Sequence, residues 1–197
     1  MPKESNKMSS TPDHKEIEVR FLEIDKEALI KKLRELGAKD LGEDLLSEII
    51  IYDKEFTWRD GGKSLLKLRT RNNKTTLTFK HRNSHAIGDT EEIEFEVSDA
   101  GKAELLLNRL GFVSFRHQEK KRHTFELGDV VIDIDTWPRV PTYVEIEGQS
   151  EKDLKKTAAL LDLDWAKVVL ENPRVVIEKY YKIPVGMMKY FTFDKFE

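Results

Sequence analysis

The chain contains no cysteine among its 197 residues. This absence excludes disulfide bonds, thiolate metal sites and a cysteine nucleophile, and it is compatible with a reducing compartment. No apolar run approaches the roughly 20 residues that a membrane-spanning helix requires, and no glycine-rich loop has P-loop spacing. The first 13 residues lack the apolar core of a secretory signal. We therefore expect a cytoplasmic protein without a membrane segment, in which residues 1–13 form a disordered leader.

An excess of one charge sign is also absent, because 34 basic and 37 acidic residues give a net charge of −3. A general binder of nucleic-acid polymers or acidic membranes carries an uncompensated basic surface, so this balance argues against both. Charged residues nevertheless make up 36% of the chain, above the typical share of about 25%. The fold must therefore accommodate an unusually large number of charged side chains.

Many of these charged residues alternate with apolar residues along the sequence, as they would in β-strands that carry their charges on one face. Glu16, Glu18 and Arg20 alternate with apolar residues, so in a β-strand the three charges point together. The same spacing recurs in later segments, at Lys67/Arg69/Arg71, Thr78/Lys80, Glu92/Glu94/Glu96, Lys120/Arg122, Asp133/Asp135 and Glu145/Glu147. Apolar stripes at helical spacing lie between these segments. About eight strands and at least three helices predict an α+β fold with antiparallel neighbours.

The simplest interpretation of each strand alone is a charged face in water and an apolar face on the core. Doubled carboxylates repel one another, however, unless a cation compensates them. A barrel with its charges inward would supply both signs in one cavity. There, lysine and arginine would suit a polyanion such as a triphosphate, and the carboxylates would suit Mg²⁺ or Mn²⁺.

Taken in order from about Glu16 to Gly148, these motifs resemble the CYTH family, also called triphosphate tunnel metalloenzymes. The family includes class IV adenylyl cyclases, thiamine triphosphatases and inorganic triphosphatases. The resemblance implies an eight-stranded antiparallel β-barrel, a triphosphate tunnel open at both ends, with helices packed outside. We expect residues 14–184 to form this single domain. The aromatic tail, residues 185–197, is expected to pack on the domain or on the partner subunit of a homodimer.

The resemblance also implies roles for the charged residues. It assigns substrate binding to Arg20, Lys67, Arg69, Arg71, Lys80, Lys120 and Arg122, and binding of Mg²⁺ or Mn²⁺ to Glu16, Glu18, Asp135, Glu145 and Glu147. Glu18 or Glu94 is expected to position an attacking water. Arg20 stands where the family normally has lysine, and it is a third candidate catalytic residue. Arginine keeps the charge but cannot accept a proton near neutral pH, because its pKa lies above about 12.

Three functions remain open from the sequence. The first is metal-dependent hydrolysis of an inorganic, nucleoside or organic triphosphate. The second is the class IV adenylyl cyclase reaction, which converts ATP to cyclic AMP and pyrophosphate in the same tunnel. The third is a noncatalytic polyphosphate-binding or nucleotide-binding module. The reason to consider it is Arg20, because family members normally have lysine at this position. For Tyr52, a place at the mouth of the tunnel and a place in the hydrophobic core are equally compatible with the sequence. Trp58 and Trp137 are expected to be packing residues.

Overall fold

An antiparallel sheet forms the centre of the molecule. The computed structural model describes residues 17–82 and 90–197. The strands within them are β1 (Ile17–Phe21), β2 (Lys39–Tyr52), β3 (Ser64–Arg71), β4 (Lys74–Arg82), β5 (Thr90–Val97), β6 (Val113–Leu127), β7 (Val130–Thr136), β8 (Tyr143–Gly148) and the short β9 (Tyr190–Phe191). The first eight follow the order β1-β8-β7-β6-β2-β3-β4-β5. The sheet curls into a half-barrel, which confirms the predicted α+β class with eight antiparallel strands.

Helices lie between these strands along the chain. They are α1 (Lys26–Glu35), α2 (Thr57–Gly61), α3 (Ala100–Arg109), α4 (Glu151–Leu160) and α5 (Pro173–Tyr181). Four of them begin at a side chain that accepts a backbone N–H of the first turn, namely Asp25, Asp99, Ser150 and Asn172. Such caps satisfy donors that the helix itself leaves unpaired. Across the described ranges, no helix combines the length and the apolar character needed to cross a membrane.

The main core lies on the convex face of the sheet. There α1 and α4 cover β1, β7 and β8, and Val19, Leu33, Ile146 and Leu154 have no solvent exposure. A second cluster joins β2 and β3 to α3. Because side chains alternate along a strand, burying one face of β1, β3, β7 and β8 against helices leaves their charged residues on the concave face.

The C-terminal part of the chain packs against one end of the half-barrel. Val169 and Arg20 exchange two backbone hydrogen bonds of 2.9 and 3.0 Å. Further on, β9 pairs in parallel with β6, and Phe191 is buried in a cluster with Trp137 and Tyr143. The boundaries at residues 13 and 184, the homodimer and the cytoplasmic location stay predictions. Residues 1–16 and 83–89, and with them the leader, lie outside the described residues.

Candidate active site

A cavity of about 400 Å³ lies against the concave face. The pairing of β1 with β8 sets Glu18 opposite Glu147 and Arg20 opposite Glu145. Ten predicted site residues line the cavity: Glu18, Arg20, Lys67, Arg69, Lys80, Glu94, Lys120, Arg122, Glu145 and Glu147. Of the other three, Asp135 is fully buried, Arg71 is paired with Asp44 at the end of β3, and Glu16 lies outside the described residues.

Arg122 is the centre of an ionic cluster on β6, β7 and β8. Its guanidinium contacts Asp133 at 2.6 Å, Asp135 at 2.7 Å and Glu145 at 2.5 Å, and Lys120 reaches Asp135 at 2.6 Å. Burial acts to lower the pKa of Arg122, but the charges of Asp135 and Glu145 outweigh it and raise the pKa. Arg122 therefore stays charged and neutralises carboxylates of two neighbouring strands.

Glu48 holds the second cluster, and the charge pattern of the sequence did not reveal it. Its side chain accepts hydrogen bonds from Arg69 at 2.7 Å, Gln118 at 2.5 Å and Lys67 at 3.3 Å. Burial acts to raise the pKa of Glu48, but the charges of Lys67, Arg69 and Lys120 hold it well below its usual range. The available signal was an acidic residue directly before the three isoleucines at 49–51, since a buried carboxylate needs a cationic partner.

Arg20 is 1% exposed, and its guanidinium joins three parts of the chain. It donates to Glu145 on β8 at 2.7 Å, to Glu18 at 2.8 Å and to the backbone carbonyl of Glu171 at 2.8 Å. The three acceptors lie in different directions, which suits the fixed fork of a guanidinium. Arg20 thus positions two of the predicted metal ligands and fixes the segment that precedes α5.

We expect Arg20→Lys to lower the free energy of unfolding by about 1–3 kcal/mol, because one ammonium group would leave at least one of these acceptors without its donor. Urea unfolding of both proteins measures the change. Arg34→Lys is a matched control, since Arg34 lies on α1 with 62% of its side chain exposed. Equal unfolding midpoints and slopes for Arg20→Lys and the wild type would show that the three hydrogen bonds do not stabilise the fold.

The β4–β5 side of the cavity carries a further ion pair and a hydrogen bond to a carboxylate. Lys80 pairs with Glu92 at 2.7 Å, and the Thr78 hydroxyl donates to Glu94 at 2.6 Å. Burial lowers the pKa of Lys80, but the attraction of Glu92 gives a net upward shift. The charge of Lys80 also contributes to lowering the pKa of Glu18. β4 and β1 are far apart in the strand order, yet Lys80 and Glu18 line the same cavity, so the curl brings the two sides of the sheet towards each other.

The carboxylates fit a divalent cation by donor type. Glu18, Glu145 and Glu147 offer only oxygen, the donor that Mg²⁺ and Mn²⁺ prefer. Burial and the charge of Glu145 act to raise the pKa of Glu18, but Arg20 makes the net shift downward. Within residues 17–82 and 90–197, no three metal-ligating side chains are arranged to hold an ion. Binding of an ion by Glu18 and Glu145 would therefore require these carboxylates to exchange arginine contacts for metal contacts.

A curled antiparallel sheet with both charge signs on its concave face defines the architecture that the sequence resemblance implied. The CYTH domain model matches residues 14–181, so the chain belongs to the CYTH family, as predicted. The fold is similar to the PH1012 protein from Pyrococcus horikoshii OT3, at 26% identity and a TM-score of 0.67, over 80% of this chain and 96% of that chain. No curated protein matches the chain in sequence.

Two structures of lower sequence identity share the fold. One is a Vibrio parahaemolyticus protein described as a candidate adenylate cyclase, at 15% identity and a TM-score of 0.70, over 83% of this chain and 97% of that chain. The other is the Hippeastrum protein HpAC1, a candidate adenylyl cyclase described as having a dominant triphosphatase activity. It shows 16% identity and a TM-score of 0.59, over 84% of this chain and 95% of that chain. Proteins of this fold thus carry both names.

Proposed function

We propose that this protein is a divalent-metal-dependent enzyme that hydrolyses a triphosphate bound in the concave cavity. The supporting observation is the group of buried cations lining one cavity: Arg20, Lys67 and Lys120 are 1%, 6% and 3% exposed, and Arg69 and Arg122 lie beside them. Lysine and arginine are rarely buried without paired charges. A polyanion is the ligand that such a group binds best.

The carboxylates hold these cations in place before the substrate arrives. Glu48 binds both Lys67 and Arg69, and Asp135 binds Lys120 and Arg122. Phosphate oxygens would accept hydrogen bonds from the same donors, with arginine able to make two at once. Because the donors are already ordered, little reorganisation is needed when charge develops on the transferred phosphoryl group.

Glu18, Glu145 and Glu147 are the residues that would hold Mg²⁺ or Mn²⁺, with Glu16 as a further ligand predicted from the sequence. A bound divalent ion would neutralise phosphate oxygens and lower the pKa of a coordinated water. We assign Asp135, the remaining predicted ligand, a different role. Its two oxygens accept hydrogen bonds from Lys120 and Arg122, so it orients cations that bind phosphate.

For the attacking water, we propose Glu94 or Glu18 as the orienting residue. Both line the cavity, and the Thr78 hydroxyl fixes one oxygen of Glu94. Arg20 contacts Glu18 and Glu145, so its proposed contribution is to position carboxylates. A lysine-dependent proton transfer at position 20 is not part of this mechanism.

Adenylyl cyclisation is the second candidate, because the Vibrio relative carries that name. In cyclisation the ribose 3′-hydroxyl attacks the α-phosphate and pyrophosphate leaves, so the same cation cluster would serve. Hydrolysis is the preferred proposal because the HpAC1 protein of the same fold is described as dominantly a triphosphatase. A noncatalytic binding module is the third candidate, and it differs in having affinity without turnover.

The deciding experiment incubates the purified protein with inorganic triphosphate, ATP or thiamine triphosphate, with Mg²⁺, Mn²⁺ or a chelator. Phosphate release that needs the metal supports hydrolysis, whereas cyclic AMP with pyrophosphate from ATP supports cyclisation. Metal-dependent binding without any product supports the noncatalytic module. In that last case, turnover gained by Arg20→Lys would identify position 20 as the cause.

Lys67 should make substrate binding depend on pH. Burial lowers its pKa to about 7, because the attraction of Glu48 only partly offsets burial, and Arg69, Lys80 and Lys120 lower it further. Lys67 is therefore charged below pH 7 and neutral above it in the free enzyme. We expect kcat/KM to fall as the pH rises through about 7, since kcat/KM reports the ionisation of the free enzyme.

Lys67→Arg is the matched variant, because arginine stays charged throughout this range. A pH profile of kcat/KM at saturating metal should lose its descending limb near pH 7 in the variant. An identical descending limb in both proteins would assign it to another group.

A further inference from the structure

We infer that this protein forms a symmetric homodimer in which α3 of one copy packs on β5 of the other. The basis is a surface of large apolar side chains that are 51–66% exposed. Contiguous apolar surface of this kind is uncommon on a monomer and marks an interaction site. None of these side chains lines the cavity, so the inference is independent of the proposed function. We call the surface the β5–α3 patch, and its residues are Ile93, Phe95, Leu105, Leu106 and Leu110.

The strand half of the patch continues the core that lies beneath α3. Ile93 and Phe95 stand directly opposite Phe79 and Leu77 of β4, and opposite residues of paired strands share a face of the sheet. Phe79 and Leu77 pack against the cluster that α3 covers. Since Ile93 and Phe95 are exposed, the apolar face of the sheet extends beyond the helix that covers it.

The helix half of the patch faces the same space. Leu107 packs into the cluster on the sheet, and the side chain of Asn108 accepts a hydrogen bond from the backbone N–H of Ser114 on β6 at 3.3 Å. Asn108 therefore marks the β6 side of α3. Leu106 lies two positions earlier and points to the other side, towards β4 and β5. Leu110 follows one turn later on the side of Leu106.

The helix runs antiparallel to the strand across the patch. The Trp58 ring lies 5.6 Å from the Phe79 ring and 5.5 Å from the Phe112 ring. Phe79 pairs with Ile93 near the start of β5, and Phe112 follows the end of α3. The end of α3 and the start of β5 therefore lie at the same end of the patch.

A second copy fits this shape through a two-fold axis parallel to α3. Such an axis keeps each end of the patch in place and exchanges its two sides, so the contact is the same in both directions. The two α3 helices would then lie side by side between the two sheets. Leu105 lies two positions before Leu107 and points away from its own sheet, so it would contact Ile93 and Phe95 of the partner subunit. The two Leu106 side chains would meet between the helices.

The charges around the patch favour this arrangement over direct pairing of the sheet edges. β5 carries four exposed acidic residues, Glu91, Glu92, Glu94 and Glu96. Pairing two β5 strands would set these like charges opposite one another, which is unfavourable. The exposed face of α3 carries Lys102 and Arg109 instead, and the two-fold axis brings Arg109 towards Glu91 of the partner subunit. Exposed pairs of this kind contribute little affinity, but they help to select the surface that the helix meets.

The first test measures the dimer dissociation constant of the full chain by sedimentation equilibrium. We expect the wild type to dimerise, and Phe95→Gln and Leu106→Gln each to raise the Kd by about tenfold or more, as truncation of a central apolar contact does. Leu160→Gln is the matched control, since Leu160 is an exposed leucine at the end of α4 and its loss should leave the Kd unchanged. Circular dichroism identifies a variant that is unfolded.

The second test uses the absence of cysteine to examine the arrangement itself. Tagged Leu105→Cys and untagged Phe95→Cys proteins are mixed, allowed to exchange subunits and oxidised. We expect a disulfide-linked species that contains one tagged and one untagged chain. Leu160→Cys mixed with Phe95→Cys is the control and should give only the background of random collisions.

Three outcomes would overturn the inference. A wild type that stays monomeric up to about 100 μM has no dimer of useful affinity, and the patch would then serve a different partner. A dimer whose Kd is unchanged by both Phe95→Gln and Leu106→Gln uses another surface. A disulfide that forms as readily within Leu105→Cys alone as in the mixture would show that the two α3 helices face each other. None of these measurements involves a triphosphate, so failure of the proposed hydrolase function leaves them unaffected.

Discussion

Replacing Arg122 by glutamine is expected to lower the free energy of unfolding by about 3–5 kcal/mol, the cost of removing one partner from a buried ion pair. The side chain of Arg122 is 12% exposed and contacts Asp133, Asp135 and Glu145. Glutamine would leave these carboxylates close together with Lys120 as the remaining cation on Asp135. Urea unfolding monitored by fluorescence and circular dichroism measures the difference.

The same substitution at Arg109 on α3 is the matched control, because Arg109 is exposed and surface substitutions usually change stability by less than about 0.5 kcal/mol. Arg122→Gln should also recover part of its stability as the pH falls and the unpaired carboxylates take up protons. A stability within about 0.5 kcal/mol of the wild type at neutral pH would show that the cluster does not require its central cation.

Replacing Arg69 by alanine is expected to lower kcat/KM for the triphosphate substrate by about 10²–10³, as removal of one donor to a developing anion does in other enzymes. Arg69 lines the cavity and is held by Glu48 at 2.7 Å. Its loss would remove the proposed phosphate ligand and leave Glu48 with Lys67 and Gln118. Steady-state kinetics with the preferred substrate and metal measure the effect.

Arg109→Ala again supplies the control for a general effect of removing an arginine. Arg69→Lys separates charge from geometry, because lysine restores a point charge without the guanidinium fork. We expect it to recover only part of the lost kcat/KM. If Arg69→Ala had wild-type kinetics, Arg69 would not be a functional residue of the active site. A circular dichroism spectrum would identify a variant that is unfolded.

The concave face could be predicted from the sequence because strand alternation is local. Once Val19 is placed in the core, Glu18 and Arg20 must point to the other side, and the same logic applies to Lys67, Arg69 and Arg122. The partner of each charge could not be predicted in this way. It depends on strand order, and β1 pairs with β8 whereas β2 lies between β6 and β3.

This difference explains the position of Glu48 and the environment of Arg20. The residues two positions from Glu48 are Leu46 and Ile50, so no doubled carboxylate marked it as part of an ionic cluster. Arg20 was recognisable as a departure from the family pattern, but its hydrogen bond to the Glu171 carbonyl joins residues 151 positions apart. No local pattern encodes such a contact, since only the packing of the C-terminal segment brings the two groups together.

The strand order also constrains the sequence of events during biosynthesis. β1 is the first described strand to leave the ribosome, yet its ladder partner β8 ends at Gly148, and Val169 completes its backbone pairing later still. Closing so long a stretch of chain is entropically unfavourable and slows folding. The nascent β1 must therefore wait for most of the protein to be made, and its alternating charges keep this unpaired strand hydrated in the meantime.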